Sequence, residues 1–268
     1  MTPDPTLAQL RAALAASPAG LVADYDGTLS PIVPDPMAAG PAPGVPQLLR
    51  DLDRRLAVVA VITGRAPLDA RAFLGDDAVL VAGNHGLEWL EPGASEASAA
   101  PALGPARQAI TASLSRVEQL GLGGVVLEPK GVSATVHYRQ SPQPVADRAA
   151  ILGALGPLDP SIVEVREGKM SVELRPAGAG DKGTALRAIV ERFALRGLVV
   201  LGDDLTDLDM FHAAAELRDT AGVTVCIGAV GAAGEAPASV LEAADFVAAD
   251  PVELVGVLRA ALAEPFQP

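Results

Sequence analysis

The sequence predicts an α/β protein in which a Rossmann-like parallel-sheet core is interrupted by a smaller inserted α/β module. Three observations support this fold class. Short, continuously apolar segments alternate with helical patterns in the first and last thirds of the 268 residues. The middle third instead alternates apolar with polar residues, as in an antiparallel sheet with one exposed face. Polar or glycine-rich turns follow several apolar segments, and ligands bind beyond such strand ends in parallel sheets.

The core elements follow one another as strand and helix in turn, after an amphipathic first helix. The predicted core strands are Leu21–Asp24, Ala57–Ile62, Val79–Ala82, Leu198–Leu201, Val223–Ile227 and a last strand that begins at Phe246. The predicted core helices are Val45–Arg55, Pro67–Leu74, Lys182–Ala194, Leu205–Ala215 and a final helix that ends near Leu262. Continuous apolar strands between helices indicate a parallel sheet with both faces covered.

The middle of the chain is predicted to be a separate cap domain at residues 87–177, inserted between core segments 1–86 and 178–268. Its pattern gives a helix, two strands, a second helix and two more strands. Because glycines stand where this insert joins the core, we expect hinges near Gly86 and Gly178–Gly180.

One face of the predicted cap sheet is polar. In Val132–Arg139 the apolar residues occupy even positions and the polar residues odd ones, and 169–175 alternates in the same way. Glu128 and Lys130 stand two apart and therefore share a face. A polar sheet face contacts either water or a ligand, and a solvated surface is the commoner case.

Composition excludes some functions. The formal net charge of −13 and the pI near 4.6 argue against nucleic acid or an anionic membrane as a partner. No apolar run approaches the roughly 20 residues that span a bilayer. Cys226 is the single cysteine and lies in an apolar strand, so we expect a buried thiol in a reducing, cytoplasmic setting. The sequence is compatible with a monomer.

Two polar turns follow the first two apolar strands. Asp24 and Asp26 lie in the first turn with Thr28, and by themselves they would suit an ordinary capped turn. A pair of carboxylates two residues apart can also supply a nucleophile and a general acid. The second turn, 63–65 (Thr-Gly-Arg), offers a hydroxyl and backbone amides on which a phosphate could rest.

The later core carries a lysine and three acids. Lys182 opens a helix in a chain that has three lysines against 17 arginines. Asp203, Asp204 and Asp207 follow the strand that ends at Leu201. Three carboxylates within five residues repel one another, and oxygen ligands suit Mg²⁺. Acidic residues are common at helix N-termini, but this preference would explain the presence of one of these acids better than that of all three.

In this order, and each after a strand, these segments resemble those of the haloacid dehalogenase superfamily. The resemblance implies that Asp24 is the phosphoryl-accepting nucleophile and Asp26 the general acid and base. It also implies that Thr63 and Lys182 hold the phosphate. The Mg²⁺ ligands would be the Asp24 carboxylate, the Asp26 backbone carbonyl and the Asp203 carboxylate, with Asp204 and Asp207 as outer or supporting ligands.

Longer segments resemble those of trehalose-6-phosphate phosphatases. They are residues 24–33 (Asp-Tyr-Asp-Gly-Thr-Leu-Ser-Pro-Ile-Val), 83–86 (Gly-Asn-His-Gly), 130–139 (Lys-Gly-Val-Ser-Ala-Thr-Val-His-Tyr-Arg), 168–176 (Gly-Lys-Met-Ser-Val-Glu-Leu-Arg-Pro) and 202–211 (Gly-Asp-Asp-Leu-Thr-Asp-Leu-Asp-Met-Phe). This family carries a mixed α/β cap in which Glu128, Lys130 and Glu173 would recognise sugar hydroxyls. The resemblance implies Mg²⁺-dependent hydrolysis of the small-molecule substrate trehalose 6-phosphate through an aspartyl-phosphate, in trehalose biosynthesis.

The sequence departs from the family pattern at three positions. The family more often has Ser at the positions of Thr63 and Asn84, and an acid at the position of Leu208. None of the three is an assigned metal ligand, but Asn84 lies close to the predicted junction with the cap and could alter substrate fit.

Some residues keep two interpretations. Thr28 and Gly64 are candidate substrate contacts. His85 either contacts substrate or supports its turn, and Arg65 either contacts phosphate or pairs with an acid at the rim of the site. His137 is expected on the cap surface, His212 in a structural role, and Trp89 and Tyr138 in the packing of the cap.

Three alternative functions stay open on the residues alone. A capped phosphatase could act on another sugar or polyol phosphate. A phospho-accepting signalling module also combines acids, Mg²⁺ and a lysine, although an acid at Asp26 favours turnover of the acyl-phosphate over its storage. A phosphomutase is the third.

Overall fold

The computed structural model describes residues 5–33, 38–99, 103–168, 170–178, 180–231 and 236–263. It divides into two compact units, a first unit of residues 1–97 with 180–268 and a second unit of residues 98–179. Lys169, in the polar alternation of the cap, and Ala179, in the second expected hinge, lie outside the described residues.

The first unit contains a parallel sheet with helices on both faces. Its strands are β1 (Ala19–Ala23), β2 (Val58–Ile62), β3 (Leu80–Gly83), β4 (Glu88–Leu90), β10 (Gly197–Gly202), β11 (Thr224–Val230) and β12 (Phe246–Ala248). Its helices are α1 (Pro5–Ala15), α2 (Val45–Asp53), α3 (Pro67–Leu74), α6 (Lys182–Arg192), α7 (Leu208–Thr220), α8 (Ala238–Ala243) and α9 (Pro251–Leu262). The strands lie in the order β12-β11-β10-β1-β2-β3-β4, and β4 alone among them runs antiparallel to its neighbour.

The second unit is an antiparallel sheet with two helices. After the two-residue strand β5 (Ser98–Ala99) come the helices α4 (Gly104–Glu118) and α5 (Pro144–Ala154). The strands are β6 (Val126–Pro129), β7 (Ala134–His137), β8 (Val163–Gly168) and β9 (Ser171–Pro176), and they lie in the order β6-β7-β9-β8.

The core of the first unit is apolar on both faces of the sheet. Successive strand residues point to opposite sides, so Val22 and Val200 pack with α6 and α7, whereas Leu21 and Leu201 pack with α1, α2 and α9. This explains why the central strands β1, β2 and β10 carry no polar side chain. Parallel pairing of β1 with β10 and β2 then brings the turns that follow all three strands to one edge of the sheet.

The alternation expected for the cap sheet is present in the second unit. Ala134, Val136, Val172 and Leu174 form one buried cluster with residues of α4 and α5, including Ile110 and Ile151. The opposite face carries the polar residues of the same strands. One face of the sheet is therefore occupied by its own helices, and the other face displays polar groups.

Three features differ from the sequence expectations. The strand β4 pairs with β3 through Ala82 and Trp89, so Trp89 packs against the core of the first unit and the expectation that it packs the cap is wrong. The expected division at 86/87 lies eleven residues before the one found in the structure at 97/98. The six-residue helix α8 was not expected, because its apolar residues are too few to form a periodic pattern.

Candidate active site

The acids of the candidate site lie at the ends of two adjacent parallel strands. Ala23 of β1 is in register with Leu201 of β10, and the Asp24 amide donates to the Leu201 carbonyl at 3.0 Å. Asp203 follows β10 directly. Side chains that are 179 residues apart in the sequence therefore meet because their strands pair.

Asp24, Asp203 and Asp207 offer carboxylate oxygens that all lie within 4.8 Å of one another. Asp24 is 5% exposed and Asp207 is fully buried. Burial raises the pKa of Asp24 well above its usual range, an effect that Lys182 opposes and Asp207 reinforces. Burial also raises the pKa of Asp203 to about 7, against a hydrogen bond from Thr28 and with the help of the charges of Asp207 and Asp204. The cluster is electrostatically unfavourable without a cation.

Lys182 supplies one positive charge to this cluster. Its Nζ lies 2.9 Å from Asp24 Oδ1 and 2.7 Å from Asp207 Oδ1, and the residue is 2% exposed. Burial alone would lower the pKa of Lys182, but the two carboxylates outweigh it and raise that pKa. Lys182 begins α6, where Asp181 accepts a hydrogen bond from the Thr184 amide and fixes the start of the helix.

Asp207 is a supporting acid. Its Oδ2 accepts the backbone amides of Asp203 and Asp204 at 2.8 and 3.1 Å, while its Oδ1 accepts Lys182. The Asp204 carboxylate instead accepts the amide and hydroxyl of Thr206 and caps the turn Leu205–Asp207. Asp24 and Asp203 therefore keep the largest capacity to bind a cation.

Two glycines that sequence reasoning did not select make room for these acids. Gly27 has a φ of +89°, and a Cβ there would lie 1.9 Å from Asp203 Oδ2. A Cβ on Gly202 would lie 2.5 Å from the Cβ of Asp207. The Thr28 hydroxyl donates to Asp203 Oδ1 at 2.8 Å, so Thr28, a candidate substrate contact, positions a carboxylate in this structure.

Asp26 is held by an arginine and not by the acid cluster. Arg65 donates from Nε to Asp26 Oδ2 at 2.7 Å and from Nη2 to Oδ1 at 2.6 Å. The guanidinium also lies 4.5 Å from the centre of the Phe73 ring. Of the two interpretations of Arg65, the structure shows pairing with an acid.

The segment Thr63–Arg65 is fixed by the turn after β3. The Asn84 amide donates to the Arg65 carbonyl at 2.9 Å, and the His85 amide donates to the Thr63 carbonyl at 2.8 Å. Asn84 and His85 both have positive φ, 51° and 59°, a conformation that is costly for non-glycine residues. The His85 ring lies 2.9 Å from where a Gly64 Cβ would stand, so this turn shapes the backbone on which a phosphate could rest.

A row of polar residues crosses the sheet of the second unit. Glu128, Thr135, Glu173 and Arg166 are register partners on β6, β7, β9 and β8 in that order, and so they share one face. Lys130 Nζ lies 3.3 Å from Glu128 Oε2. The three candidate sugar contacts therefore belong to one face of one sheet.

The residues fit a divalent cation. The donor set of Asp24, Asp203 and Asp207 consists of carboxylate oxygens alone, which hard cations prefer over nitrogen or sulfur ligands. The raised pKa values of Asp24 and Asp203 show that a positive charge at this position would stabilise the ionised form of both carboxylates.

The part of the chain that the structure describes contains no helix with the length and hydrophobicity of a transmembrane span.

The fold is of the haloacid dehalogenase-like type. The C-terminal domain of Candida albicans trehalose-6-phosphate phosphatase superimposes with a TM-score of 0.67 at 24% identity, over 99% of each chain. Trehalose-6-phosphate phosphatase of Aspergillus fumigatus has a TM-score of 0.61 at 27% identity, over 95% of this chain and 96% of that one.

The chain belongs to the trehalose-phosphatase family, whose family model matches residues 22–240. The trehalose-phosphate phosphatase of Mycobacterium avium (strain 104) is 37% identical over 202 residues, which cover 71% of this chain and 50% of that protein. The chain thus spans about half the length of the curated relatives it matches.

Proposed function

We propose that this protein is a Mg²⁺-dependent phosphatase that hydrolyses trehalose 6-phosphate to trehalose and phosphate. The observation that carries the proposal is the cluster of Asp24 and Asp203 at adjacent strand ends with the buried Lys182, in a chain of the trehalose-phosphatase family. The cytoplasmic location and the monomeric state expected from the sequence stay predictions.

Asp24 is the nucleophile in this proposal. A carboxylate oxygen of Asp24 attacks phosphorus, the bond from phosphorus to the sugar oxygen breaks, and an aspartyl-phosphate forms. Lys182, which lies 2.9 Å from Asp24, balances the charge of the phosphoryl oxygens, and the Thr63 hydroxyl and the Gly64 amide donate hydrogen bonds to them. Mg²⁺, when bound by Asp24, Asp203 and the Asp26 carbonyl with Asp204 and Asp207 in support, would stabilise the negative charge that develops on the phosphoryl group.

Asp26 moves the protons. As an acid it gives a proton to the departing sugar oxygen, and as a base it then takes one from the water that attacks the aspartyl-phosphate. Both of its oxygens accept hydrogen bonds from Arg65 in this structure. A carboxylate has about four acceptor positions, so each Asp26 oxygen keeps a position at which a proton can be carried while Arg65 holds the side chain in place.

Sugar recognition is assigned to the polar face of the second unit. Glu128, Lys130 and Glu173 offer two charged acceptors and one donor on a single sheet face. Such groups bind sugar hydroxyls, and a substrate that lacks the matching hydroxyl leaves them unpaired. In the first unit, His85 and Gly64 are further candidate substrate contacts beside the phosphate position.

The test is phosphate release from trehalose 6-phosphate beside the phosphates of glucose, sucrose, mannose and glycerol, with Mg²⁺ and after EDTA. We expect kcat/KM for trehalose 6-phosphate to exceed the others by at least about 100-fold. Asp24→Asn should abolish turnover, and Asp219→Asn, which changes an exposed acid of the same unit, should leave it intact.

Each contrary outcome removes a different part of the proposal. Turnover by Asp24→Asn would contradict the nucleophile assignment. Similar turnover of the whole panel would retain the phosphatase but replace trehalose 6-phosphate with a broader class of sugar or polyol phosphates. A stable phosphoprotein without turnover would favour a phospho-accepting module.

A further inference from the structure

His137 and Lys130 both contact one oxygen of Glu128. His137 Nε2 lies 2.8 Å from Glu128 Oε2, and Lys130 Nζ lies 3.3 Å from the same atom. The contact with His137 depends on register, because Val126 of β6 faces His137 of β7 and Glu128 is the next residue on that face. This contact links His137, which was expected only on the cap surface, to Glu128, a candidate sugar contact.

Glu128 needs such support. It lies on β6, an outer strand of its sheet, and its side chain is 48% exposed. A long, exposed glutamate samples several rotamers, and ordering it when a ligand binds costs conformational entropy. Two donors from two directions restrict the carboxylate before any ligand arrives.

The Glu128 contacts also leave room for a ligand. On β8, at the other edge of the sheet, Glu167 is held by Arg148 through both of its oxygens, at 2.5 and 2.7 Å. That fork occupies both oxygens of its carboxylate. Glu128 has a hydrogen bond with His137 and an ion pair with Lys130, both at Oε2, and an ionised carboxylate has about four acceptor positions. Sugar hydroxyls can still donate to it.

We propose that His137 is a positioning residue for sugar recognition, which holds the Glu128 carboxylate in the orientation that accepts a sugar hydroxyl. The inference rests on the proposed function, because it assigns Glu128 to the substrate. His137 is 45% exposed and its neutral ring can donate from Nε2, so it acts through Glu128 and takes no part in phosphoryl transfer.

The experiment compares steady-state kinetics on trehalose 6-phosphate and on p-nitrophenyl phosphate, which has no sugar, in the presence of Mg²⁺. The variants are His137→Ala, His137→Gln, Glu128→Ala and the double variant of Ala at both positions. Arg148→Ala is the matched control, since it breaks an exposed pair on the opposite edge of the same sheet.

We expect His137→Ala to raise KM for trehalose 6-phosphate roughly tenfold relative to KM for p-nitrophenyl phosphate, with kcat nearly unchanged. His137→Gln should recover most of the loss, because its amide can also donate to Oε2. The double variant should be no worse than Glu128→Ala, since a residue that acts through Glu128 has nothing to position once it is gone.

Three outcomes would overturn the inference. Additive losses in the double variant would show that His137 acts independently of Glu128. Equal losses on both substrates, with a lowered Tm, would show a merely structural role. A wild-type kinetic profile for His137→Ala would exclude any role in recognition. A wild-type protein that hydrolyses p-nitrophenyl phosphate but not trehalose 6-phosphate would instead refute the proposed function, and the inference would fall with it.

Discussion

In the first unit the buried Asp24 and the partly buried Asp203 lie at the ends of adjacent strands, whereas Glu164 and Glu167 of the second unit lie on an exposed edge strand and pair with arginines. Burial raises the pKa of both aspartates, and hydrogen bonds from Arg166 and Arg148 lower the pKa of the two glutamates. The first unit therefore holds charge at a cost that a cation would relieve. The charges of the two glutamates in the second unit are exposed, so water solvates them and arginines pair with them.

This difference separates two kinds of functional residue. The groups assigned to chemistry are fixed by backbone positions, neighbouring glycines and a buried lysine, so substitutions there should affect every substrate. The groups assigned to recognition are held by side-chain contacts on a sheet face, and substitutions there should change selectivity more than catalytic rate.

Lys182→Met should have the largest effect. It removes the cation that contacts Asp24 and Asp207 and leaves two buried carboxylates unpaired. Breaking a buried pair in this way costs about 3–5 kcal/mol, and we expect kcat to fall by at least about a thousandfold for every phosphate tested. Urea denaturation and steady-state kinetics measure the two effects.

The matched substitution in the second unit is Arg148→Ala. The pair it breaks with Glu167 is exposed on both sides, at 44% and 43% of the side-chain surface. Solvent and salt screen such a pair, and so Tm and kcat should stay at wild-type values. Comparable destabilisation by the two substitutions would show that burial does not distinguish the charges of the two units.

The sequence predicted the core elements and the chemistry-bearing turns because both depend on local pattern. Asp24 and Asp203 follow apolar strands, and strands that pair in parallel must bring their ends together. The pairs Arg65–Asp26 and His137–Glu128 depend on side-chain direction and strand register, which periodicity does not define.

The contact of Gly27 with Asp203 joins residues 176 positions apart, and no local signal marks it. Glycine is common in turns, so its presence after Asp26 does not by itself indicate a close approach to another strand. The need for a residue without a Cβ at this position appears only when Asp203, at the end of the adjacent strand β10, is in place.

Gly27→Ala should have the next largest effect. The new Cβ would overlap with the Asp203 carboxylate and force it to move. A shift of about 1 Å in a catalytic group costs on the order of 100-fold in rate, and we expect kcat to fall by that factor while the affinity for the divalent cation also drops. Kinetics and calorimetric titration with Mg²⁺ report the two quantities.

Gly75→Ala is the control for backbone strain. Gly75 also has a positive φ, +64°, but a Cβ there would meet no atom within 4 Å. Both variants should lose stability through strain, and only Gly27→Ala should lose cation affinity. Equal kinetic losses in the two variants would assign the effect to strain and not to the position of Asp203.

The smallest expected effect is a pH dependence of stability in the cation-free protein. The pKa of Asp203 is about 7 in the folded chain and has its ordinary value of 3.8 in the unfolded chain. Between pH 3.8 and about pH 7 the folded state therefore binds more protons than the unfolded state. The free energy of unfolding should therefore fall as pH rises from about 4 to about 7, by roughly 1–3 kcal/mol. Asp203→Asn should remove the part of this fall that comes from Asp203, while Asp24, whose pKa is also raised, keeps its own contribution, and saturating Mg²⁺ should oppose the fall by binding the ionised form. Glu167→Gln should leave the fall in place, because the lowered pKa of Glu167 comes from an exposed arginine pair in the other unit. Urea denaturation in EDTA across this range gives the measurement, and a rise in stability that depends on Asp203 would contradict the view that the first unit holds this carboxylate at a cost.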